Sequence, residues 1–245
     1  MTYSNQQISW REDMWFRLRM IEDRKMPMPV RKVLVNGLLR DPSTDHRYKK
    51  IEDREVLFVH VPKIGGTSLA KSLGLPHGHV PVSRYIARDK ARFDESFSFA
   101  FVRNPWDRLF SAFNYLKASI GLNRSRDVRW AEQNLGSYAN FEAFVLALKD
   151  DAKWRRIRRW PHFRAQTDWL CVPGSNVVKA DFIGRFETLN DDCNRLAGML
   201  GQELTLSHER KSQSYEHKKL TQQMINIIGR RYRSDVDLFK YDTPI

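Results

Sequence analysis

The sequence predicts an α/β domain in which a central parallel sheet is flanked by helices, giving three layers. Two apolar runs of strand length, residues 56–61 and 97–102, have the continuous hydrophobic character of strands buried on both faces. Helical signals follow each run, at residues 67–73 and 104–116. Strands that alternate with helices are typical of a parallel sheet with crossover helices.

The remaining elements have separate signals. Asn104 is a good N-cap and Pro105 suits a first helical position, so the second helix is predicted to begin there. The stretch 180–186 is predicted to be a third strand. Further helices are predicted at 141–148, 189–200 and 218–232.

Residues 51–245 are predicted to form the main domain, and residues 1–50 a charged N-terminal extension that packs on it. One short amphipathic helix is expected within the extension. Its apolar positions recur at helical spacing: Trp10, Met14, Trp15, Leu18 and Ile21.

The charge of the chain points to anionic partners. There are 42 Lys and Arg residues against 29 Asp and Glu residues, a formal net charge of +13. Such a surplus suits nucleic acid, acidic polysaccharide, a phosphorylated cofactor or a membrane surface. The hydrophobic content of 41% excludes wholesale disorder. Two cysteines, no apolar run of spanning length and no signal pattern at Met1 predict a soluble, cytoplasmic protein with buried thiols.

The first stretch that carries chemistry is residues 59–69. It reads as a strand end, a loop with Lys63 and two glycines, and then hydroxyl residues that open a helix. Backbone N–H groups at a helix start attract anions, and a lysine adds a point charge. The loop is not a Walker A motif, because there the lysine follows the glycines, whereas Lys63 precedes them.

The second stretch is residues 101–113. Arg103 stands where the predicted strand ends, and Ser111 follows about two helical turns later. An arginine fork and a serine hydroxyl on one rim suit a phosphate monoester. Taken alone, Arg103 is equally consistent with a structural salt bridge, and its pairing with the Lys63 loop favours the binding role.

The two stretches together resemble the sulfotransferases that use 3′-phosphoadenosine 5′-phosphosulfate (PAPS). Pro62-Lys-Ile-Gly-Gly-Thr-Ser-Leu69 is similar to the 5′-phosphosulfate loop of that family, and Arg103-Asn-Pro-Trp-Asp-Arg-Leu-Phe-Ser111 to its 3′-phosphate motif. The resemblance is to the carbohydrate branch, which includes the heparan sulfate 2-O-, chondroitin and HNK-1 sulfotransferases. It extends over roughly residues 55–241 and includes later segments at 162–170, 181–189 and 232–241.

The resemblance implies a P-loop-like three-layer sandwich and transfer of a sulfuryl group from PAPS to an acceptor hydroxyl, most simply on a carbohydrate. No metal ion is expected. For the 5′-phosphosulfate it implies Pro62, Lys63, Gly65, Gly66, Thr67 and Ser68. For the rest of the nucleotide it implies that Arg103 and Ser111 contact the 3′-phosphate. It also implies that Lys211 and Ser212 close over the nucleotide from the C-terminal side.

A histidine is the natural general base for an acceptor hydroxyl. The segment His77-Gly-His79-Val resembles the His-Gly-His-Val of the 2-O-sulfotransferases, which carries their catalytic histidine. The resemblance therefore implies that His79 is the base, with His77 in support and Lys63 stabilising charge on the leaving oxygens. His162 is a second candidate, either as base or as an acceptor contact. A surface pair at positions 77 and 79 is the structural alternative.

The segment 153–164 holds six basic residues and no acid, with aromatics interleaved. It predicts either a groove for an anionic acceptor or a solvated basic helix face. The acceptor contacts expected here and in the following family-like segment are Arg155, Arg158, Arg159, His162 and Gln166.

Three other functions remain open from the sequence. An atypical P-loop kinase would bind ATP and magnesium, but the position of Lys63 argues against it. A polyanion- or nucleic-acid-binding protein would explain the charge but not the two ordered motifs. The third is an inactive protein that keeps the sulfotransferase fold.

Overall fold

A four-stranded sheet forms the centre of the fold, in the order β1-β2-β3-β4. Its strands are β1 (Tyr48–Ile51), β2 (Arg54–Phe58), β3 (Phe97–Val102) and β4 (Phe182–Arg185). Strands β2, β3 and β4 run parallel, and β1 pairs antiparallel with β2. This computed structural model describes residues 47–76, 78–122, 125–202 and 220–244, all within one unit, Thr44–Ile245. The predicted α/β class is confirmed, with an antiparallel edge strand added to the parallel sheet.

The two apolar runs behave differently at their ends. All six residues of β3 are buried, which matches the predicted strand at 97–102. The other run was predicted at 56–61, but β2 ends at Phe58. The N–H of Val59 still donates to the carbonyl of Phe99 at 2.9 Å. The chain then leaves the sheet and turns through Lys63, whose φ of 72° lies in the left-handed region.

The edge strand β1 was not predicted. Its sequence, Tyr48-Lys-Lys-Ile51, is short and charged, as edge strands often are, and it lacks an apolar run. Because β1 begins at Tyr48, the sheet includes residues assigned from sequence to the 1–50 extension. Residues 1–46 of that extension, with its predicted helix, lie outside the described residues.

Helices connect and surround the strands. In chain order they are α1 (Gly66–Ser72), α2 (Val82–Arg88), α3 (Lys90–Glu95), α4 (Pro105–Ser119), α5 (Arg126–Leu135), α6 (Phe141–Ala147), α7 (Asp151–Ile157), α8 (Thr167–Leu170), α9 (Leu189–Leu200), α10 (Gln222–Arg231) and α11 (Arg233–Phe239). A 3₁₀ turn lies at Pro161–Phe163. Helices α1, α4, α6, α9 and α10 correspond to predicted helices, whereas the other six lacked a signal strong enough to be predicted.

Helix α4 begins as its sequence predicts. The Asn104 side chain accepts the N–H of Trp106 at 3.0 Å, and Pro105 takes the first helical position. The buried face of α4 then packs on the C-terminal helices, where Trp106 Nε1 donates to the carbonyl of Ile225 at 3.1 Å. The cap thus fixes where β3 ends and α4 starts.

Parallel pairing brings three chain segments to one edge of the sheet. The loop after β2, Arg103 after β3 and Phe186 after β4 all follow the carboxyl ends of neighbouring parallel strands. The N–H of Phe186 donates to the carbonyl of Val102 at 2.8 Å, and Glu187 accepts the N–H of Asn104 at 2.6 Å. In open α/β sheets this edge is where ligands bind.

Two glycines give opposite expectations for substitution by alanine. A Cβ on Gly184, in β4, would lie 2.3 Å from a ring carbon of buried Phe101. We expect Gly184→Ala to lower the free energy of unfolding by about 1–3 kcal/mol through overpacking. Gly198, at an exposed position of α9, has nothing within 4 Å of its Cβ position. Gly198→Ala should instead stabilise the fold by up to about 1 kcal/mol, since alanine is the better helix former.

Urea unfolding measures the free energy of unfolding of both variants and of the wild type. Equal unfolding free energies for Gly184→Ala and Gly198→Ala would contradict the close approach of β4 to Phe101.

Candidate active site

Backbone conformation and close packing both shape the loop after β2. Lys63 and Gly65 have φ values of 72° and 75°. A Cβ on Gly65 would lie 3.1 Å from the Phe186 ring, and one on Gly66 would lie 2.3 Å from Nε2 of His60. Helix α1 begins at Gly66 with no acidic side chain in its first turn. The glycines therefore let the loop lie close to both rings, and no carboxylate offsets the partial positive charge of the helix start.

The predicted anion-binding side chains lie on this loop and the first turn of α1. Nζ of Lys63 is 4.0 Å from the ring centroid of Tyr115, a cation–π contact. Thr67 is exposed, Ser68 is half-buried and Pro62 is buried. Tyr115, on α4, was not singled out from the sequence, because it reads there as an ordinary helix residue. The cofactor roles of these residues stay predictions.

Arg103 contacts the Lys63 loop directly. Its side chain is buried, its Nη1 donates to the carbonyl of Lys63 at 3.4 Å, and its guanidinium lies 4.1 Å from the ring centroid of Phe186. Burial lowers the pKa of Arg103, while the carboxylates of Asp107 and Glu187 act in the opposite direction. The two motifs paired in the sequence analysis are therefore in contact in the structure.

Gln166 holds the Arg103 backbone from both sides. Its Oε1 accepts the N–H of Arg103 and its Nε2 donates to the Arg103 carbonyl, each at 2.8 Å. The backbone N–H of Gln166 donates in turn to Asp235 at 2.8 Å. Gln166 is fully buried, so in this structure it positions Arg103. Its predicted contact with an acceptor stays a prediction.

His79 packs against the start of the same loop. Its Nδ1 donates to the carbonyl of His60 at 2.9 Å, and the two ring centroids are 4.4 Å apart. Because a carbonyl can only accept, this contact makes Nδ1 the protonated nitrogen and leaves a lone pair on Nε2. Burial lowers the pKa of His79 to about 4, with the bond to His60 acting in the opposite direction. His79 is therefore a neutral imidazole at physiological pH.

His162 lies beside His79 and is hydrogen-bonded to a carboxylate. Its Nε2 is 3.2 Å from Oδ2 of Asp127, and its ring centroid is 6.0 Å from that of His79 and 5.1 Å from that of Tyr115. Desolvation raises the pKa of Asp127, but the hydrogen bond from His162 and nearby positive charge outweigh it and lower the net value. Asp127 was missed from the sequence, because its partner His162 lies 35 residues away.

Arg108 joins the loop to the segment that carries His162. Its guanidinium is buried, and Nη1 donates to the carbonyls of Pro62 and His162 at 3.5 and 3.4 Å. Nη2 donates to the carbonyl of Arg164. Its sequence position, inside an amphipathic helix, gave no sign of this role.

The aromatic residues of the basic segment 153–164 belong to the core. Trp154 and Trp160 are buried, and the Trp160 ring stacks on Trp130 with centroids 4.7 Å apart. Aromatic and basic residues therefore alternate because the aromatic side chains of α7 and the following turn point into the core and the basic ones lie on the outer side.

The arginines of this segment lie on the outer side. Arg155 and Arg158 are exposed, and Arg159 is half-buried. Nη2 of Arg158 lies 3.3 Å from a carboxylate oxygen of Asp168, so part of the positive charge is already paired. The roles of these arginines toward an acceptor stay predictions.

Three predicted site residues lie outside the described residues: His77, Lys211 and Ser212. Ser111 is described and half-buried, two turns into α4. Its sharing of a phosphate with Arg103 stays a prediction.

Within residues 47–76, 78–122, 125–202 and 220–244, no group of three or more His, Cys, Asp or Glu side chains is arranged to hold a metal ion. No helix in this part of the chain combines the length and the apolar character needed to cross a bilayer. Both cysteines are buried free thiols. A cytoplasmic location stays a prediction.

Comparison with known proteins gives one family. The model of the Sulfotransferase family matches residues 46–242. The chain is 25% identical to Carbohydrate sulfotransferase 9 of Homo sapiens, over 79% of this chain and 53% of that protein. It is 25% identical to Carbohydrate sulfotransferase 10 of Xenopus laevis, over 88% of this chain and 75% of that protein. Carbohydrate sulfotransferase 11 of Rattus norvegicus is 26% identical, over 79% and 66% respectively.

The chain thus spans about half the length of the human relative. No solved structure matches it significantly. The match over most of the described fold includes residues 59–69, residues 101–113 and the segment that carries His79. This chain belongs to the sulfotransferase family.

Proposed function

We propose that this chain transfers a sulfuryl group from PAPS to a hydroxyl of a carbohydrate. The observation that carries the proposal is the meeting of Lys63, Arg103 and His79 around one loop. Arg103 contacts the Lys63 carbonyl at 3.4 Å. His79 contacts the carbonyl of His60, which lies three residues before Lys63, at 2.9 Å. Two cationic side chains that can bind an anionic sulfuryl donor, Lys63 and Arg103, therefore lie near His79, a neutral base that can accept the proton of an acceptor hydroxyl. The names of the relatives, all carbohydrate sulfotransferases, support the acceptor class.

The residues present fit an anionic nucleotide such as PAPS. Lys63 supplies a point charge, Arg103 a planar fork suited to phosphate, and Thr67 and Ser68 hydroxyl donors. The first turn of α1 contains no acid that would repel the ligand. We assign the Pro62–Ser68 segment to the 5′-phosphosulfate, and Arg103 with Ser111 to the 3′-phosphate. The proposal includes a P-loop-like arrangement of the sheet and its helices.

When bound, PAPS supplies a sulfuryl group already activated by its phosphate leaving group. The chain then needs to align the acceptor and stabilise charge, as in phosphoryl transfer. Lys63 stabilises negative charge on the bridging and leaving oxygens. Its contact with the Tyr115 ring, at 4.0 Å, restricts where the ammonium group can lie. Arg103 is held by Gln166 on its backbone, so the point from which its side chain extends is fixed.

His79 is the proposed general base. Its Nδ1–H is engaged by the His60 carbonyl, so the acceptor proton is taken up at Nε2. His162 is less suited to this role, because its Nε2 is engaged by Asp127 and its Nδ1 is buried. The low pKa of His79, about 4, leaves the Nε2 lone pair free at physiological pH.

The acceptor is proposed to be an anionic carbohydrate. The exposed arginines of α7 and the turn after it, Arg155 and Arg158, provide positive charge on the segment that leads into His162. Polyanionic sugar chains interact with such surfaces mainly through charge, so their binding weakens as salt rises.

Cofactor binding is tested by calorimetry with 3′-phosphoadenosine 5′-phosphate, adenosine 5′-monophosphate, and ATP with magnesium. We expect the 3′-phosphorylated nucleotide to bind at least about tenfold more tightly than the other two, since a charge-assisted contact contributes about 1.5–3 kcal/mol. Arg103→Lys should remove most of this preference because lysine lacks the fork.

The control is Arg233→Lys, at an exposed arginine of α11 that pairs with Asp237. Equal affinity of wild type and Arg103→Lys for the 3′-phosphorylated nucleotide, with both folded by circular dichroism, contradicts the assignment of the 3′-phosphate site.

The base is tested by transfer of ³⁵S from PAPS to unsulfated chondroitin, with neutral dextran for comparison. We expect His79→Ala to lower kcat by about 10²–10⁴-fold, the usual contribution of a general base, with nucleotide affinity unchanged. Wild-type turnover should hold as pH falls through 6.5 and decline only near the pKa of about 4. Full turnover in His79→Ala would transfer the base role to His162 or His77.

The acceptor surface is tested with Arg155→Ala combined with Arg158→Ala. We expect KM for chondroitin to rise severalfold, less so at high salt, because each exposed charge contributes up to about 1 kcal/mol. The matched control removes two exposed cations elsewhere, Lys90 and Arg233. A change in KM that is the same for both double variants would rule out a specific acceptor surface on α7.

A further inference from the structure

Two buried rings determine how His79 can lie. The ring centroids of His162 and Trp169 are each 6.0 Å from that of His79, and both contacts are edge-on. Trp169 is fully buried and His162 is nearly so. Since Nδ1–H of His79 is already bonded to the His60 carbonyl, a shift of either ring would turn the imidazole that presents Nε2.

His162 is in turn anchored by Asp127. The distance from Nε2 to Oδ2 is 3.2 Å, and the two side chains are only 10% and 27% exposed. Hydrogen bonds to an ionised group are stronger than neutral ones, and partial burial protects them from screening. Nδ1 of His162 is buried without a hydrogen-bond partner among the described residues. Within that part of the chain, Asp127 is therefore the polar anchor of this ring.

The charges around His79 also single out Asp127. The charged or titratable groups that face His79 are His60, His162, Arg47 and Asp127. Burial, Arg47 and His162 all disfavour a positive charge on His79, whereas the Asp127 carboxylate favours it. A base that becomes an imidazolium during the reaction needs such an opposing charge, since burying an uncompensated cation is costly.

We propose that Asp127 is a positioning residue for sulfuryl transfer: it accepts the Nε2–H of His162, holds that ring against His79, and offsets the positive charge that His79 acquires. The inference rests on the proposed function. In the step concerned, the acceptor proton passes to Nε2 of His79 while the bond from acceptor oxygen to sulfur forms and the bond from sulfur to the leaving phosphate oxygen breaks. Asp127 and His162 exchange no proton.

The alternative role of Asp127 is that of an ordinary acid in the first turn of α5, where it stabilises the helix through the dipole. Glu142 provides a matched control, because it is an exposed acid in the first turn of α6. A helix-stabilising role predicts similar behaviour for the two residues, whereas the positioning role concerns Asp127 alone.

The turnover experiment compares Asp127→Asn, Asp127→Ala and Glu142→Ala in the wild-type and His79→Ala backgrounds. We expect both Asp127 variants to lower kcat by about 10–100-fold, the size typical of residues that orient a catalytic group, with KM for PAPS within about twofold. In the His79→Ala background neither should lower kcat further, because their effect passes through His79. Glu142→Ala should leave kcat unchanged in both backgrounds.

A second measurement does not depend on turnover. Imidazole ¹⁵N spectra should show a proton held on Nε2 of His162 in the wild type and a changed Nε2 signal in Asp127→Ala. Glu142→Ala should keep the wild-type spectrum. Assignment uses the loss of signals in His162→Gln.

Either an unchanged His162 spectrum in Asp127→Ala or an equal loss of kcat in both backgrounds overturns the inference. Unchanged kcat in a folded Asp127→Asn protein overturns it as well, and this milder variant decides the question if Asp127→Ala does not fold. Failure of the wild type to bind 3′-phosphoadenosine 5′-phosphate would instead overturn the proposed function. The ¹⁵N spectra then still decide whether Asp127 fixes His162.

Discussion

The buried guanidinium of Arg108 is the interaction on which the arrangement of the site depends. Its donors reach carbonyls of Pro62, His162 and Arg164, which belong to two segments far apart in sequence. A buried cation without partners costs several kcal/mol, so folding must bring these carbonyls to it. The loop that carries Lys63 and the turn that carries His162 are thereby held in one relative position. Contacts that satisfy one buried charge thus also align the residues of the site that we propose.

A second layer of polar contacts supports the first. Gln166 holds the Arg103 backbone, and Asp235 holds the backbone of Gln166 and Thr167. Burial raises the pKa of Asp235, while the Arg108 charge and these N–H donors oppose the shift. Buried polar contacts of this kind favour a single arrangement of the core, because buried polar groups left without partners are costly. The side chains proposed to contact donor and acceptor can therefore belong to loops and still be well ordered.

The sequence predicted those parts of the molecule that depend on local chemistry. The buried strand β3, the Asn104 cap and the glycine loop follow from apolar runs, capping preferences and backbone freedom, and all three are found in the structure. The lysine and arginine motifs were found for the same reason, since their spacing lies within single segments. Edge strand β1 was missed because its pairing partner, and not its composition, makes it a strand. Asp127 and Arg108 were missed because their partners lie 35 or more residues away, where spacing along one chain carries no information.

The anchoring of Gln166 by Asp235 has a consequence for how this protein is made. The two residues are 69 positions apart, and Tyr232, also near the end of the described chain, donates to the Phe163 carbonyl across the same separation. At about 5–20 residues per second, a ribosome needs several seconds to bridge that gap. Throughout this interval the Lys63 and Arg103 motifs have been synthesised, yet the contacts from Asp235 and Tyr232 that anchor the 163–166 segment beside them do not exist. The site that we propose is therefore completed only once the last part of the described chain has been made. A nascent chain that ends before Tyr232 carries the Lys63 and Arg103 motifs without the contacts that anchor Phe163 and Gln166.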